Sequence, residues 1–143
     1  MLKFLMSCVT ALAAVSTQAA PAKPAFKGTD FSGLYDCQGT DEHDGAYKSA
    51  VTLKLVPAQS FGEYGAYMLT SEAPGLGTYT GYAAVQGQHM SFYFGLTAPG
   101  SKDYGTAIAS FAKNEHGKWS FHLYYFEPTY NNGNHGLEDC VGR

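Results

Sequence analysis

Alternation with a period of two runs through most of this chain, and no segment sustains a helical period. In "HMSFYFGLT", His89 to Thr97, the residues Met90, Phe92, Phe94 and Leu96 fall on one side and His89, Ser91 and Tyr93 on the other. Extended backbone points successive side chains to opposite faces, so such spacing sends one set to a core and the other outward. Trp119, Phe121, Leu123 and Tyr125 oppose Ser120, His122 and Tyr124 in the same way, and Val51, Leu53 and Leu55 oppose Thr52 and Lys54. In the Trp119 segment the second face, continued by Phe126, is itself rich in aromatic rings, so either face could point inward.

Gly, Pro, Asn and Asp punctuate the chain into eight strand-like runs: Ser32–Cys37, Ala46–Val56, Tyr64–Ser71, Thr78–Gln86, His89–Thr97, Gly105–Lys113, Lys118–Glu127 and Leu137–Val141. Every connection is short, which makes consecutive strands antiparallel neighbours in a meander. Eight strands suffice to close an up-and-down barrel, and closure removes the exposed edges that invite aggregation. The expected fold is therefore all-β, an eight-stranded antiparallel up-and-down barrel spanning residues 31–143. A two-sheet β-sandwich is the alternative compatible with the same pattern.

The first residues have the make-up of a targeting segment. Lys3 is the only charge before Lys23, Phe4 to Val15 is mostly apolar, and Thr17 and Ala19 are small residues suited to signal-peptidase cleavage after Ala19. Residues 1–19 are expected to be removed, and the proline-containing stretch 20–30 to be a disordered lead-in. Cys8, in "LMSC", lies inside the apolar run rather than after it, which argues against a lipid anchor. Export leaves Cys37 and Cys140 in an oxidising compartment, where a disulfide is the expected state. It would fasten the first strand to the last and, in the chain-entropy account, contribute roughly 4–5 kcal/mol. Periplasmic or secreted placement follows.

The meander sorts its own loops. Connections 1–2, 3–4, 5–6 and 7–8 share one end, with "GTDEHDG", "EAPGLG", "APGSKDY" and "PTYNNGNHG"; the other end has tighter turns such as Gly87-Gln88 and Asn114–Gly117. Barrels bind at the open, loop-bearing mouth, so the first end is the candidate functional end. Because the last strand starts where the first ends, Asn134 and His135 should lie beside Asp41 and His43.

The acids and histidines of that rim, Asp41, Glu42, His43 and Asp44 with His135 and Glu138, include ligand types for a hard or borderline cation. The calcium-loop pattern fails, however: with Gly45 at its invariant glycine, Thr40 and Val51 occupy the terminal ligand positions. Acids and glycine also favour solvated turns, so the expectation is a polar loop with no metal and no cofactor. The chain has no Gly-x-Ser-x-Gly elbow, His-Glu-x-x-His or phosphate loop. No catalytic residue is assigned, and the expectation is a protein that is not an enzyme. Nine Lys and Arg, of which Lys3 falls in the leader, stand singly against twelve Asp and Glu. No basic stripe serves nucleic acid.

"FSGLYDCQG", Phe31 to Gly39, resembles the opening strand of lipocalin-like and avidin-like barrels, with Tyr35 at the position of their tryptophan. The terminal cysteine, in "EDCVGR", looks like that of the small periplasmic lysozyme inhibitors of bacteria, whose serine, tyrosine and tryptophan loop motif has no counterpart here. Both resemblances concern architecture.

Eleven tyrosines and nine phenylalanines supply rings that serve apolar and polar ligand groups alike. The first functional expectation is a monomeric, exported, lipocalin-like binder of a small, partly apolar molecule, with Tyr47, Tyr79, Tyr104 and Tyr130 as rim contacts. The second is a protein-binding inhibitor or immunity protein whose acidic rim, with Asp41, His43, Asp44, Asn134 and His135, meets a basic envelope or wall-degrading enzyme. An interior cavity lined by Tyr and Phe favours the first; a solid core with a protruding "TDEHDG" loop favours the second.

Overall fold

A computed structural model describes residues 22–143. The expected signal segment, with Cys8, lies outside the described residues. Eight strands follow in order: β1 (Gly33–Asp41), β2 (Gly45–Leu55), β3 (Tyr64–Ala73), β4 (Gly77–Gln86), β5 (His89–Leu96), β6 (Tyr104–Lys113), β7 (Trp119–Glu127) and β8 (Asn134–Gly142). Each pairs antiparallel with its sequence neighbours, and β8 returns to β1, so the sheet is a closed up-and-down barrel. The sandwich alternative is thereby excluded, since no strand is left at an edge.

The first and last strands run further toward the mouth than their composition suggests. Gln38 to Asp41 and Asn134 to Gly136 carry glycine and polar residues that read as loop. Pairing on both sides overrides that preference: Gly39 faces Tyr47 on β2 and Glu138 on β8, and Asp41 faces Gly45 and Gly136. The loop between β1 and β2 shrinks to Glu42, His43 and Asp44.

Cys37 and Cys140 are register partners across the closing seam and form the expected disulfide, with Cα atoms 4.1 Å apart. The bond is in keeping with an oxidising, non-cytoplasmic setting. No helix among the described residues is long and apolar enough to cross a membrane.

The period of two resolves in one direction throughout. Met90, Phe92, Phe121, Leu123, Tyr125, Val51 and Leu53 are buried inside the barrel. Tyr124 and Phe126 are exposed on the outside, joined there by Tyr82, Tyr93, Ile108 and Leu137.

The end of the barrel where β1 begins is filled. Phe31, fully buried, sits with its ring centroid 4.3 Å from that of Phe111 and 4.9 Å from that of Trp119. Its backbone is held as well: the Tyr67 hydroxyl accepts from Phe31 N–H at 3.0 Å, and the Tyr35 hydroxyl donates to Phe31 C=O at 2.8 Å. Burial pushes the Tyr35 phenol up to about 12. Just before this plug, Phe26 bridges to Gly62, and Lys27 N–H donates to Gly62 C=O at 2.7 Å. The later part of the 20–30 segment thus lies across the closed end.

Candidate functional site: an acidic, aromatic barrel mouth

At the opposite end the long loops surround a cavity of about 140 Å³. Its floor is apolar, with Val51, Leu69, Phe92, Phe121 and Leu123. Its upper wall is built from Tyr47, Tyr79, Tyr125 and Tyr130 with Asp41, Asp103, Glu127 and Glu138. The loop sorting drawn from the meander holds, since Asp44, Leu76, Asp103 and Tyr130 reach the cavity from the four connections of that end.

Glycines make room for the rings. Gly39 is the register partner of Tyr47, Gly136 of Tyr125 and Gly105 of Phe94. A Cβ on any of the three would run into its partner's ring or hydroxyl. Each glycine therefore lets an aromatic side chain from the next strand lie across it, and the rings reach the barrel interior without displacing the sheet.

Asp41 anchors the wall. It is 6 % exposed, and its Oδ2 accepts from the Tyr125 hydroxyl at 2.6 Å and from Asn134 Nδ2 at 2.7 Å. Its Oδ1 accepts from the backbone N–H of His43 and Asp44 at 2.8 and 2.9 Å. Burial would raise this carboxyl; the Tyr125 and Asn134 bonds and the two amides outweigh it and hold the group below the ordinary carboxylate value. Four donors thus engage Asp41 within the rim.

Asn134, 1 % exposed, donates a second time from Nδ2, to Glu127 Oε2 at 2.7 Å, while its own Oδ1 finds no partner. Glu127 is 6 % exposed. Burial, countered by the Asn134 bond and reinforced by the charges of Asp103, Asp41 and Asp44, pushes it up to about 7. Burial likewise raises Asp103, whose Oδ2 accepts from the Tyr79 hydroxyl at 3.1 Å and whose Oδ1 is buried without a partner. Glu138 is raised by burial and accepts from Ser49 Oγ at 2.9 Å. Burial also raises the Tyr47, Tyr79 and Tyr125 phenols, which remain neutral donors.

Tyr47, Tyr79 and Tyr130, expected as rim contacts, all line the cavity. The Tyr130 hydroxyl donates to Asp44 Oδ2 at 2.8 Å, closing the first loop against the last. Two asparagines of positive φ, Asn131 and Asn132, turn the chain there, a conformation asparagine tolerates better than most residues. Tyr104 is a correction. Gly105, Ala107 and Ala109 point inward, so the alternation puts Tyr104 on the outer surface, 6.3 Å from the Tyr93 ring.

The expected adjacency of the two loops is present, in a particular form. Asn134 bonds Asp41 directly. His135 instead pairs through Nδ1 with Glu42 Oε2 at 2.8 Å, and His43 Nε2 lies 3.1 Å from Gly133 C=O. These residues latch the rim from outside. The rim groups considered as cation ligands do not converge: among the described residues, the one trio with ligand atoms within 4.8 Å of one another is Cys37, Glu138 and Cys140, whose sulfurs are bonded to each other.

Glu127, Asp103 and Tyr125 were not singled out as site residues from sequence. Tyr125 and Glu127 continue the inward face of Phe121 and Leu123, so alternation carried to the end of β7 would have found both. Asp103 sits in an irregular loop and has no such signal. No family model matches the chain, and neither a curated protein nor a solved structure matches it.

Proposed function

We propose that the protein is an exported, non-enzymatic binding protein, periplasmic or secreted, that holds a small, partly apolar ligand in the mouth of its barrel. The observation that carries this reading is the cavity itself: an apolar floor under a ring of tyrosine hydroxyls, at the end where the long loops gather. Concave apolar sites with a few placed polar groups fix a ligand's orientation through those groups and gain affinity from the apolar contact. The inhibitor reading has less support, because Asp41, Glu127 and Glu138 turn inward and Glu42 and Asp44 are engaged by His135 and Tyr130.

Native mass spectrometry of protein recovered from its own cell envelope tests the reading. The expected result is a small-molecule adduct that is lost on unfolding. A preparation that carries no small molecule, or carries a bound polypeptide in its place, would count against it.

A further inference from the structure

We infer that the ligand of the mouth cavity is a small organic cation: a protonated amine whose apolar body is about one ring in size. The inference rests on the binding-protein reading and names the ligand class for the same cavity.

The first ground is an imbalance of charge. Among the described residues, the cavity is lined by several carboxyl side chains and by no Lys, Arg or His. Asp41 is satisfied within the wall by four donors. Glu127 and Asp103 are not. Glu127 accepts one bond, on Oε2, and its Oε1 has no donor among the described residues and is not sealed from solvent. Asp103 Oδ1 is buried with no donor at all. Buried polar atoms in folded proteins nearly always find partners, and those that do not are costly. A ligand that brings an N–H donor to Glu127 Oε1 supplies what the protein leaves out there.

The second ground is the geometry of those acids. Their oxygens do not close on a common point tightly enough to chelate a metal ion, as their failure to form a trio within 4.8 Å indicates. An ammonium group needs no such convergence. It has three donors on a compact charge and can serve one carboxylate directly and tyrosine oxygens beside it. Its positive charge also opposes the burial and, after it, the neighbouring carboxylates that push Glu127 upward.

The third ground is the floor. Phe92, Phe121 and Leu123 offer an apolar seat below the acids, with the Phe94 ring beside Tyr79 and Tyr125 in the wall, and aromatic faces attract cations as well as hydrocarbon. The volume, about 140 Å³, is close to that of a ~150 Å³ protein cavity known to accept benzene. An anionic ligand would face the carboxylates with nothing to neutralise it.

Titration calorimetry at neutral pH with phenethylamine, phenethyl alcohol and phenylacetate on the disulfide-intact protein tests this. The amine should bind at least about tenfold more tightly than the alcohol, and phenylacetate should not bind. Glu127→Gln and Asp103→Asn should each weaken the amine by about tenfold more than they weaken the alcohol. Near-ultraviolet circular dichroism confirms folding, and the two variants sit on separate elements, so both would have to misfold to spoil the test. Equal or tighter binding of the alcohol, or any preference for phenylacetate, overturns the cation inference while the small-ligand reading stands. If none of the three binds, the inference also falls; benzene then decides the reading beneath it, which survives if benzene occupies the cavity and fails if benzene is excluded.

Discussion

Tyr35 and Tyr67 at one end of the barrel, and Tyr79 and Tyr125 at the other, are inward-facing rings whose hydroxyls all find partners. What they bond to differs. The first pair exchanges hydrogen bonds with the backbone of Phe31, a neutral partner that fills the space between strands. The second pair donates to the carboxylates of Asp103 and Asp41, which stand round a cavity. The same strands, with the same alternation, thus make a sealed end and an open one. The choice is made by what the chain places at each end: Phe31, just before β1, below, and acids and glycines above.

Substitution at the sealed end should have the larger effect. Phe31→Ala empties the plug between Phe111 and Trp119 and is expected to cost about 3–5 kcal/mol of unfolding free energy in urea titration. Binding at the mouth should be unaltered in the folded fraction. A loss below about 1 kcal/mol would mean that Phe31 does not close the barrel.

At the open end, Asp41→Ala removes the acceptor for the Tyr125 hydroxyl and for two loop amides. A smaller loss, about 1–3 kcal/mol by the same titration, is expected, because water at the rim can replace part of what is lost. If the loss matched that of Phe31→Ala, the contrast between a packed end and a wall of hydrogen bonds would not hold.

The smallest effect concerns pH. Glu127 lies at about 7 in the folded barrel against an ordinary value of 4.5. Between these values the folded state holds a proton that the unfolded chain gives up, so this group's stabilisation is complete below about 4.5 and is lost as pH rises through about 7. Asp41 has the opposite sign: its folded value is lowered, so its contribution is present above its ordinary value of 3.8 and disappears as pH falls through the folded one. Glu127→Gln should therefore flatten the fall in melting temperature between mildly acidic and neutral pH and leave the acid limb in place. An unchanged profile would show that Glu127 is not the group that titrates there.

Most of the scaffold was legible because alternation is a local signal. Met90, Phe92 and Phe94, or Phe121, Leu123 and Tyr125, announce a face within a few residues, and short connections leave a meander little choice of partners. The pairing of Cys37 with Cys140 followed from there being no other cysteine beyond the leader. The site was less legible. Tyr47, Tyr79 and Tyr130 line the cavity at the end to which the long loops sort, whereas Tyr104 shares that region and points away by the parity of β6. Asp41 keeps the inward parity of Tyr35 and Cys37, but the sequence does not show that its carboxylate is held while that of Glu42 beside it stays exposed. That difference is made by Tyr125 and Asn134, which arrive from β7 and β8. The plug was missed for a related reason: Phe31 is ordinary in sequence, and only barrel closure makes a hole of its size.

The seam disulfide has a mechanical consequence. Its two cysteines are 103 positions apart, and almost the whole barrel lies between them. Tension applied to the ends of the chain would pass from Cys37 to Cys140 through one covalent bond and bypass the sheet. Pulling on the oxidised protein should thus extend little beyond the flanking segments. The mouth and its hydrogen-bonded wall would bear none of the load, whatever strain the tethers outside the barrel take up.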